Sequence, residues 1–247
     1  MAEPIGQFCH ARGTVFLKTE GLTKTYRVGA ETVRALDRVD FLAEQGDFVV
    51  ISGPSGSGKT TFLNLIACID RPTEGEVYIE SEATSALSEA RLAALRRTRI
   101  GLIFQTFNLI PVLSAFENVE YPLLLQHIPR DGRREQVTAI LEEVGLADLL
   151  RRRPDELSGG QRQRVAIARA LVSEPKMVLA DEPTANLDSE TGRQVMGLMR
   201  RLNEEHCVVF IVVTHDPAVT AYARRTVRIL DGRLEEEARD VAAASAA

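Results

Sequence analysis

The chain has 247 residues, 45% of them hydrophobic, and a formal net charge of −5. That is enough apolar material for one large domain, and the mildly acidic, mixed charge argues against a nucleic-acid-binding role. The longest apolar run, Cys207–Val213, is far short of the roughly 20 residues a spanning helix needs, and no secretory leader is read in Met1–Arg12. The three cysteines, Cys9, Cys68 and Cys207, are scattered without metal-ligand spacing. Such sparse use suits a reducing compartment, and Cys68 and Cys207 read as small packing residues.

Residues 1–12 read as a loose arm. Val15–Leu17 and Val39–Leu42 read as strands of an opening sheet, with Gly21 and Gly29 marking turns. Phe48–Ile51 is a continuous apolar run, the pattern of a strand buried on both faces. A glycine-rich segment and a helix carrying Phe62, Leu63, Leu65 and Ile66 follow. Further strands are read at Glu76–Ile79 and Ile100–Phe104, with a helix at about 88–97 begun by Ser88. From about 105 to 165 the strand pattern disappears. Val137, Ile140, Leu141 and Val144 fall on one helix face, and the stretch reads as a helical insertion. Buried strands return at Met177–Ala180 and Val208–Val213, separated by a helix over Ser189–Leu202. Val227–Leu230 and Gly232–Leu234 suggest a closing hairpin. Strands alternating with helices imply an α/β fold with a mainly parallel sheet and an antiparallel N-terminal portion. One domain is expected over 13–235, with a core at 13–104 and 166–235. The acidic, then Ala- and Ser-rich residues 236–247 read as a loose tail.

Gly53-Pro54-Ser55-Gly56-Ser57-Gly58-Lys59-Thr60 fits G-x-x-x-x-G-K-[ST]. The glycines let backbone N–H groups converge on phosphate oxygens, and the next helix aims its positive end at the same place. Lys59 would carry charge to the β- and γ-phosphates, and the Thr60 hydroxyl could ligate Mg²⁺. The alternative is a chance glycine-rich turn, but a buried strand before it and an amphipathic helix after it favour the phosphate loop. ATP is therefore the expected ligand, with Thr61 counted among the residues that contact it. The Met177–Ala180 strand ends in Asp181-Glu182. Acids at the carboxyl end of a buried parallel strand face the ligand crevice. Asp181 is placed to hold Mg²⁺, and Glu182 to orient or deprotonate the attacking water. A solvated acidic loop is the plainer reading of such a pair in isolation.

Leu157-Ser158-Gly159-Gly160-Gln161, followed by Arg162–Leu171, resembles the signature motif of ABC-type ATPases. Ser158 can cap a helix whose first turn lacks bulky side chains, a second N-terminus suited to an anion. The resemblance covers almost the whole chain. It implies a P-loop NTPase with a RecA-like core and an inserted helical subdomain. It implies that Tyr26 stacks on adenine, that Gln105 touches Mg²⁺ and senses a transport partner, that Asp188 in Asn186-Leu187-Asp188 contacts a second subunit, and that His215 contacts the γ-phosphate. It also implies a head-to-tail dimer, each ATP lying between the phosphate loop of one copy and Ser158–Gln161 of the other. A membrane permease would dock near Gln105 and the helical subdomain, placing the chain peripherally at the cytoplasmic face of the inner membrane. Cys68-Ile69-Asp70-Arg71-Pro72-Thr73, Phe104–Pro111 and Asn186–Gly192 are similar to the lipoprotein-release and macrolide-efflux branch. Ala67, Ser81 and Ala185 depart from that branch where glycine is usual. The resemblance implies the ATP-hydrolysing subunit of a transporter that powers a separate permease in export, lipoprotein release or mechanotransmission; a small-solute importer subunit and a soluble ABC ATPase are the competing functions.

Overall fold

A computed structural model describes residues 14–239 except Ala30. The expected arm at residues 1–12 and the last residues of the expected tail lie outside the described residues. Two long strands open the chain, β1 (Val15–Val28) and β2 (Glu31–Glu44), with β3 (Phe48–Ser52) after them. Helix α1 (Lys59–Ile66), β4 (Glu74–Ile79), the short β5 (Glu82–Ala83), α2 (Glu89–Arg99) and β6 (Ile100–Ile103) follow. Then come α3 (Ala115–Leu125), α4 (Arg130–Glu143) and α5 (Gly159–Leu171). The chain continues through β7 (Met177–Asp181), α6 (Ser189–His206), β8 (Val209–Thr214), α7 (Pro217–Thr220), β9 (Arg225–Leu230) and β10 (Arg233–Arg239).

The strands form two sheets, an antiparallel one in the order β2-β1-β4-β5 and a six-stranded one in the order β10-β9-β3-β8-β7-β6. Pairing in the second is parallel except for the β9–β10 hairpin. Its central strands are buried on both sides, and their alternation divides the core in two. Phe48, Val50, Val178, Ala180, Phe210 and Val212 face α3–α6. Val49, Ile51, Leu179, Ile211 and Val213 face α1, α2 and the antiparallel sheet. The Phe48 and Phe210 rings stack across neighbouring strands at 5.5 Å, and Phe41 meets Phe62 edge-on at 5.4 Å on the opposite side.

The helical insertion has its own fastenings. Ser114 and Glu117 form a capping box at the start of α3. Asn118, fully buried, accepts from the Ile110 N–H at 2.8 Å and donates to the carbonyls of Ile110, Leu113 and Ser114, which shapes the loop entering that helix. Val137, Ile140, Leu141 and Val144 are all buried, as their spacing predicts. The boundary drawn at 165 falls inside α5, which runs unbroken into the core. Cys68 is a buried free thiol whose pKa burial pushes up to about 11.

Three expectations need correction. Gly21 does not end a strand. β1 runs through it, with a register shift spanning it in the pairing to both β2 and β4 and a φ of 56°, so the glycine sits at an irregularity inside the strand. The tail does not loosen at 236, because β10 continues to Arg239 by backbone pairing with β9. A run of glutamates is compatible with an edge strand, where charge discourages further pairing. The helix after Asp188 extends to His206, four residues beyond its expected end at Leu202. Among the described residues no helix is long and apolar enough to cross a membrane.

At that extension the core is tied to the insertion. His206 Nε2 and Glu143 Oε1 lie 2.6 Å apart, and Arg201 Nη2 donates to the Glu143 carbonyl at 2.8 Å. The contact with Glu143 raises the His206 pKa against the opposing effect of burial, with Glu205 and Glu174 adding to the rise. The same contact lowers the Glu143 carboxyl. The raised His206 contributes stability that is full below its unfolded pKa, about 6.5, and lost as pH rises through the higher folded value. The lowered Glu143 contributes stability that is lost as pH falls below about 4.3 toward its folded value. Glu143→Gln should therefore destabilise the fold near pH 5.5, by less than about 1 kcal/mol for this partly exposed pair, and hardly at all near pH 9. Urea unfolding at the two pH values measures the difference.

Candidate active site

The phosphate loop lies between β3 and α1, and its glycines are required by close approaches. A Cβ on Gly53 would fall 2.2 Å from the Ile229 carbonyl oxygen, and one on Gly58 would fall 2.4 Å from that of Ala35. Gly58 also has a φ of 106° at the N-cap, where no side chain caps the helix, so the first N–H groups of α1 are open toward the loop. The Gly232 N–H donates to the Ser57 carbonyl at 3.0 Å, which braces the loop against the β9–β10 turn. Lys59 is buried, and its ammonium donates to the Gly53 and Pro54 carbonyls at 2.8 and 2.9 Å. Ser57 Oγ is buried without a hydrogen-bond partner among the described residues. Open amides, a lysine folded over the loop and an unpartnered buried hydroxyl form a cradle suited to an anion.

Thr60 Oγ1 donates to Asp181 Oδ2 at 3.3 Å, joining the start of α1 to the end of β7. Burial holds the Asp181 carboxyl above its usual range, and the charge of Glu182 adds to this, while Thr60 and Lys59 oppose it. A hydroxyl beside a carboxylate whose ionised form is poorly solvated is a donor set that fits a hard divalent cation such as Mg²⁺.

Glu182 has a φ of 47°, an unfavourable setting for a side chain of its size. It is held there from the neighbouring strand. Its N–H donates to the Val213 carbonyl at 2.9 Å. Its Oε2 accepts from the Thr214 hydroxyl at 2.9 Å and from the His215 N–H at 3.4 Å, and its Oε1 lies 2.7 Å from His215 Nδ1. The glutamate side chain is only 13% exposed, whereas that of His215 is 59% exposed. The arrangement is an oriented carboxylate with an exposed imidazole at its rim, next in the chain to Asp181, which bonds Thr60 of the phosphate loop.

Gln105 follows β6 and is exposed; its carbonyl accepts from Asn186 Nδ2 at 2.7 Å. Among the described residues no hydrogen bond joins its side chain to Thr60 or Asp181. Tyr26 is 37% exposed at the far end of β1, and its hydroxyl donates to Asp70 at 3.0 Å. Ser158 caps α5 in a capping box with Gln161. Gly160 lies under Thr191, where a Cβ would fall 2.4 Å from the methyl group, and Gly159 lies against Leu187. Asp188 caps α6 by accepting from the Glu190 and Thr191 N–H groups. Thus Ser158–Gln161 and Asp188 form a second cluster. Among the described residues no hydrogen bond or ion pair joins Ser158–Gln161 to Gly53–Thr61.

Several contributing residues escaped the reading of the sequence. Thr214, fully buried, holds Glu182. Gln163, also buried, donates to the Pro183 carbonyl at 2.8 Å and so links α5 to the residue after Glu182. Arg169 donates to the carbonyls of Asn108 and Phe107 at 2.5 and 2.7 Å, both at positive φ, and thereby fixes the turn after Gln105. The only sequence signal for these three was adjacency to a motif.

Residues 36–185 match the family model described as ABC transporter. The chain belongs to that family. It is 48% identical over 225 residues to the uncharacterized ABC transporter ATP-binding protein MJ0796 of Methanocaldococcus jannaschii, covering 90% of this chain and 96% of that protein. It is 44% identical over 228 residues to the lipoprotein-releasing system ATP-binding protein LolD of Chromohalobacter salexigens, covering 92% and 96%. It is also 46% identical to the macrolide export ATP-binding/permease protein MacB of Syntrophobacter fumaroxidans, covering 90% of this chain but 31% of that longer protein. The solved dimeric structure of MJ0796 in a post-hydrolysis state, bound to ADP and Pi, superposes with a TM-score of 0.83 at 46% identity, covering 90% of this chain and 98% of that one. The chain is an ATPase with the ABC fold, an ATP-binding subunit of the ABC transporter type.

The grip of Thr214 on Glu182 can be tested in this ATPase. Thr214→Val should lower turnover by about tenfold, corresponding to roughly 1.4 kcal/mol of lost positioning, while ATP affinity stays within about twofold. Thr214→Ser should restore most of the rate. Steady-state turnover and equilibrium binding of the two variants separate the effects, and an unchanged rate in Thr214→Val would remove Thr214 from the active arrangement.

Proposed function

We propose that two copies of this chain close head to tail over two ATP molecules, and that the closure drives a separate membrane permease in export or lipoprotein release. The observation that carries this reading is the separation of the site into two clusters. Gly53–Thr61, Asp181, Glu182 and His215 gather at one edge of the sheet. Ser158–Gln161 and Asp188 gather elsewhere, with Ser158 and Asp188 exposed to solvent. A γ-phosphate bound to the first cluster needs donors on its far side, which a second copy can supply. The dimeric assembly of MJ0796 with ADP and Pi supports this arrangement.

In this reading Pro54, Ser55, Gly56, Ser57, Gly58 and Thr61 line the phosphates with Gly53, and Lys59 exchanges its two loop carbonyls for β- and γ-phosphate oxygens. Tyr26 stacks on the base. Thr60, Asp181 and Gln105 would hold Mg²⁺, which would neutralise phosphate charge. Glu182 takes the proton of the attacking water, oriented by Thr214. His215, released from Glu182, donates to the γ-phosphate. Ser158, Gly159, Gly160 and Gln161 of one copy complete the site of the other, and Asp188 sets the contact between copies. A permease docks in the groove lined by Ile69, Arg97, Phe104, Tyr121, Leu125 and Arg169, where Ile69, Tyr121 and Leu125 are exposed. The groove lies beside the turn after Gln105, so docking and the nucleotide site share one loop. The chain then sits peripherally on the cytoplasmic face of the inner membrane. LolD and MacB among its relatives favour release or export over import.

Glu182→Gln should retain ATP binding, lose turnover by about 10²- to 10⁴-fold, and accumulate as a dimer with ATP by light scattering. Adding Ser158→Phe should dissolve that dimer without weakening nucleotide binding to the monomer. A Glu182→Gln protein that turned over normally, or a dimer indifferent to Ser158→Phe, would refute the corresponding role. Lys59→Ala should weaken ATP binding by at least about tenfold, measured by titration with a fluorescent nucleotide.

A further inference from the structure

The segment leaving α1 is stitched to β1 beside Tyr26. The Thr73 N–H donates to the Thr23 carbonyl at 2.8 Å, and the Thr25 N–H donates to Thr73 Oγ1 at 3.0 Å. Asp70 uses both carboxylate oxygens. Oδ1 accepts from Lys24 Nζ and from the Arg71 N–H, each at 2.7 Å, and Oδ2 accepts from the Tyr26 hydroxyl at 3.0 Å. Lys24 donates a second time to the Arg71 carbonyl at 2.7 Å, and its ammonium lies 5.0 Å from the centroid of the Tyr26 ring. The Lys24 side chain is only 13% exposed.

Each contact restricts one freedom of the aromatic ring. The hydroxyl is anchored at one end, and the cation occupies a position over the π system. The ring surface nevertheless remains partly open. An aromatic side chain with a tied polar end and an open ring surface is a stacking platform set before its ligand arrives, and such preorganisation lowers the cost of binding. The anchor also has a place in the site. Asp70 follows α1 by four residues, and α1 begins with Lys59 and Thr60.

We infer that Asp70 is a positioning residue for nucleobase recognition: it holds Lys24 and Tyr26 as one platform and locks the base end of the site to the helix that binds the phosphates. The inference rests on the reading of Tyr26 as the residue that meets the base. It gives a physical role to the Asp70–Thr73 run, which the nucleotide chemistry otherwise leaves unused.

The test compares a ligand with a base and one without, ADP and inorganic pyrophosphate, by calorimetric titration of the full chain. Asp70→Ala should weaken ADP binding by about five- to tenfold and leave pyrophosphate binding within about twofold. Tyr26→Phe, which keeps the ring and removes only the anchored hydroxyl, should weaken ADP in the same direction by a smaller factor. Tyr26→Ala combined with Asp70→Ala should bind ADP no more weakly than Tyr26→Ala alone, because the two act through one contact. Equal losses for ADP and pyrophosphate, or fully additive losses in the double variant, would make Asp70 a general structural residue and overturn the inference. If Tyr26→Ala weakens ADP while Asp70→Ala does not, the inference fails and the role of Tyr26 stands. If Tyr26→Ala leaves ADP affinity unchanged, both fail.

Discussion

The parallel register of β3, β8, β7 and β6 is the constraint on which the rest of the structure depends. Ser52 pairs with Thr214, Val213 with Asp181, and Ala180 with Ile103. Four carboxyl ends are thereby brought to one edge, and each releases a candidate site residue there: the phosphate loop after Ser52, His215 after Thr214, Glu182 after Asp181 and Gln105 beyond Ile103. A slip of one residue would exchange the side chains that fill the two halves of the core, and close packing on both faces makes that costly. The apolar interior therefore fixes the position of charged groups that it does not itself contain.

Burial then tunes the chemistry of that edge. The Asp181 carboxyl is held above its usual range by burial and by the charge of Glu182. Glu182 is held in a strained setting by Thr214, His215 and the backbone of β8. In the proposed function both features prepare the edge for the charge of a nucleotide and its cation.

Hydrogen bonds tie this edge to the helical insertion. Gln163 joins α5 to Pro183, Asn186 joins the loop before α6 to Gln105, and Arg169 joins α5 to the turn at Phe107 and Asn108. All three are side chain to backbone contacts, so they fix loop shape directly. The residues after Glu182, the turn after Gln105 and the helix capped by Ser158 are therefore one connected unit, which gives the proposed dimer closure a physical link to the groove where a permease would dock.

The sequence by itself determined the central strands, the phosphate loop, the acid pair and the insertion, because continuous apolar runs, a glycine-rich spacing and a helical period are local signals. It also determined the cap at Ser158, since capping is settled within four residues. Only the tertiary structure decided the path of β1 through Gly21, the pairing of the acidic β10, the length of α6, and the holding roles of Thr214, Gln163 and Arg169. Those depend on partners distant in the chain: a bulge is absorbed or not by the strand beside it, and a threonine grips a glutamate 32 positions away only because two strands lie in register. The phosphate loop was legible as a motif, but the tether of Tyr26 to Asp70 was not, because no pattern within β1 or the segment after α1 records that the two meet.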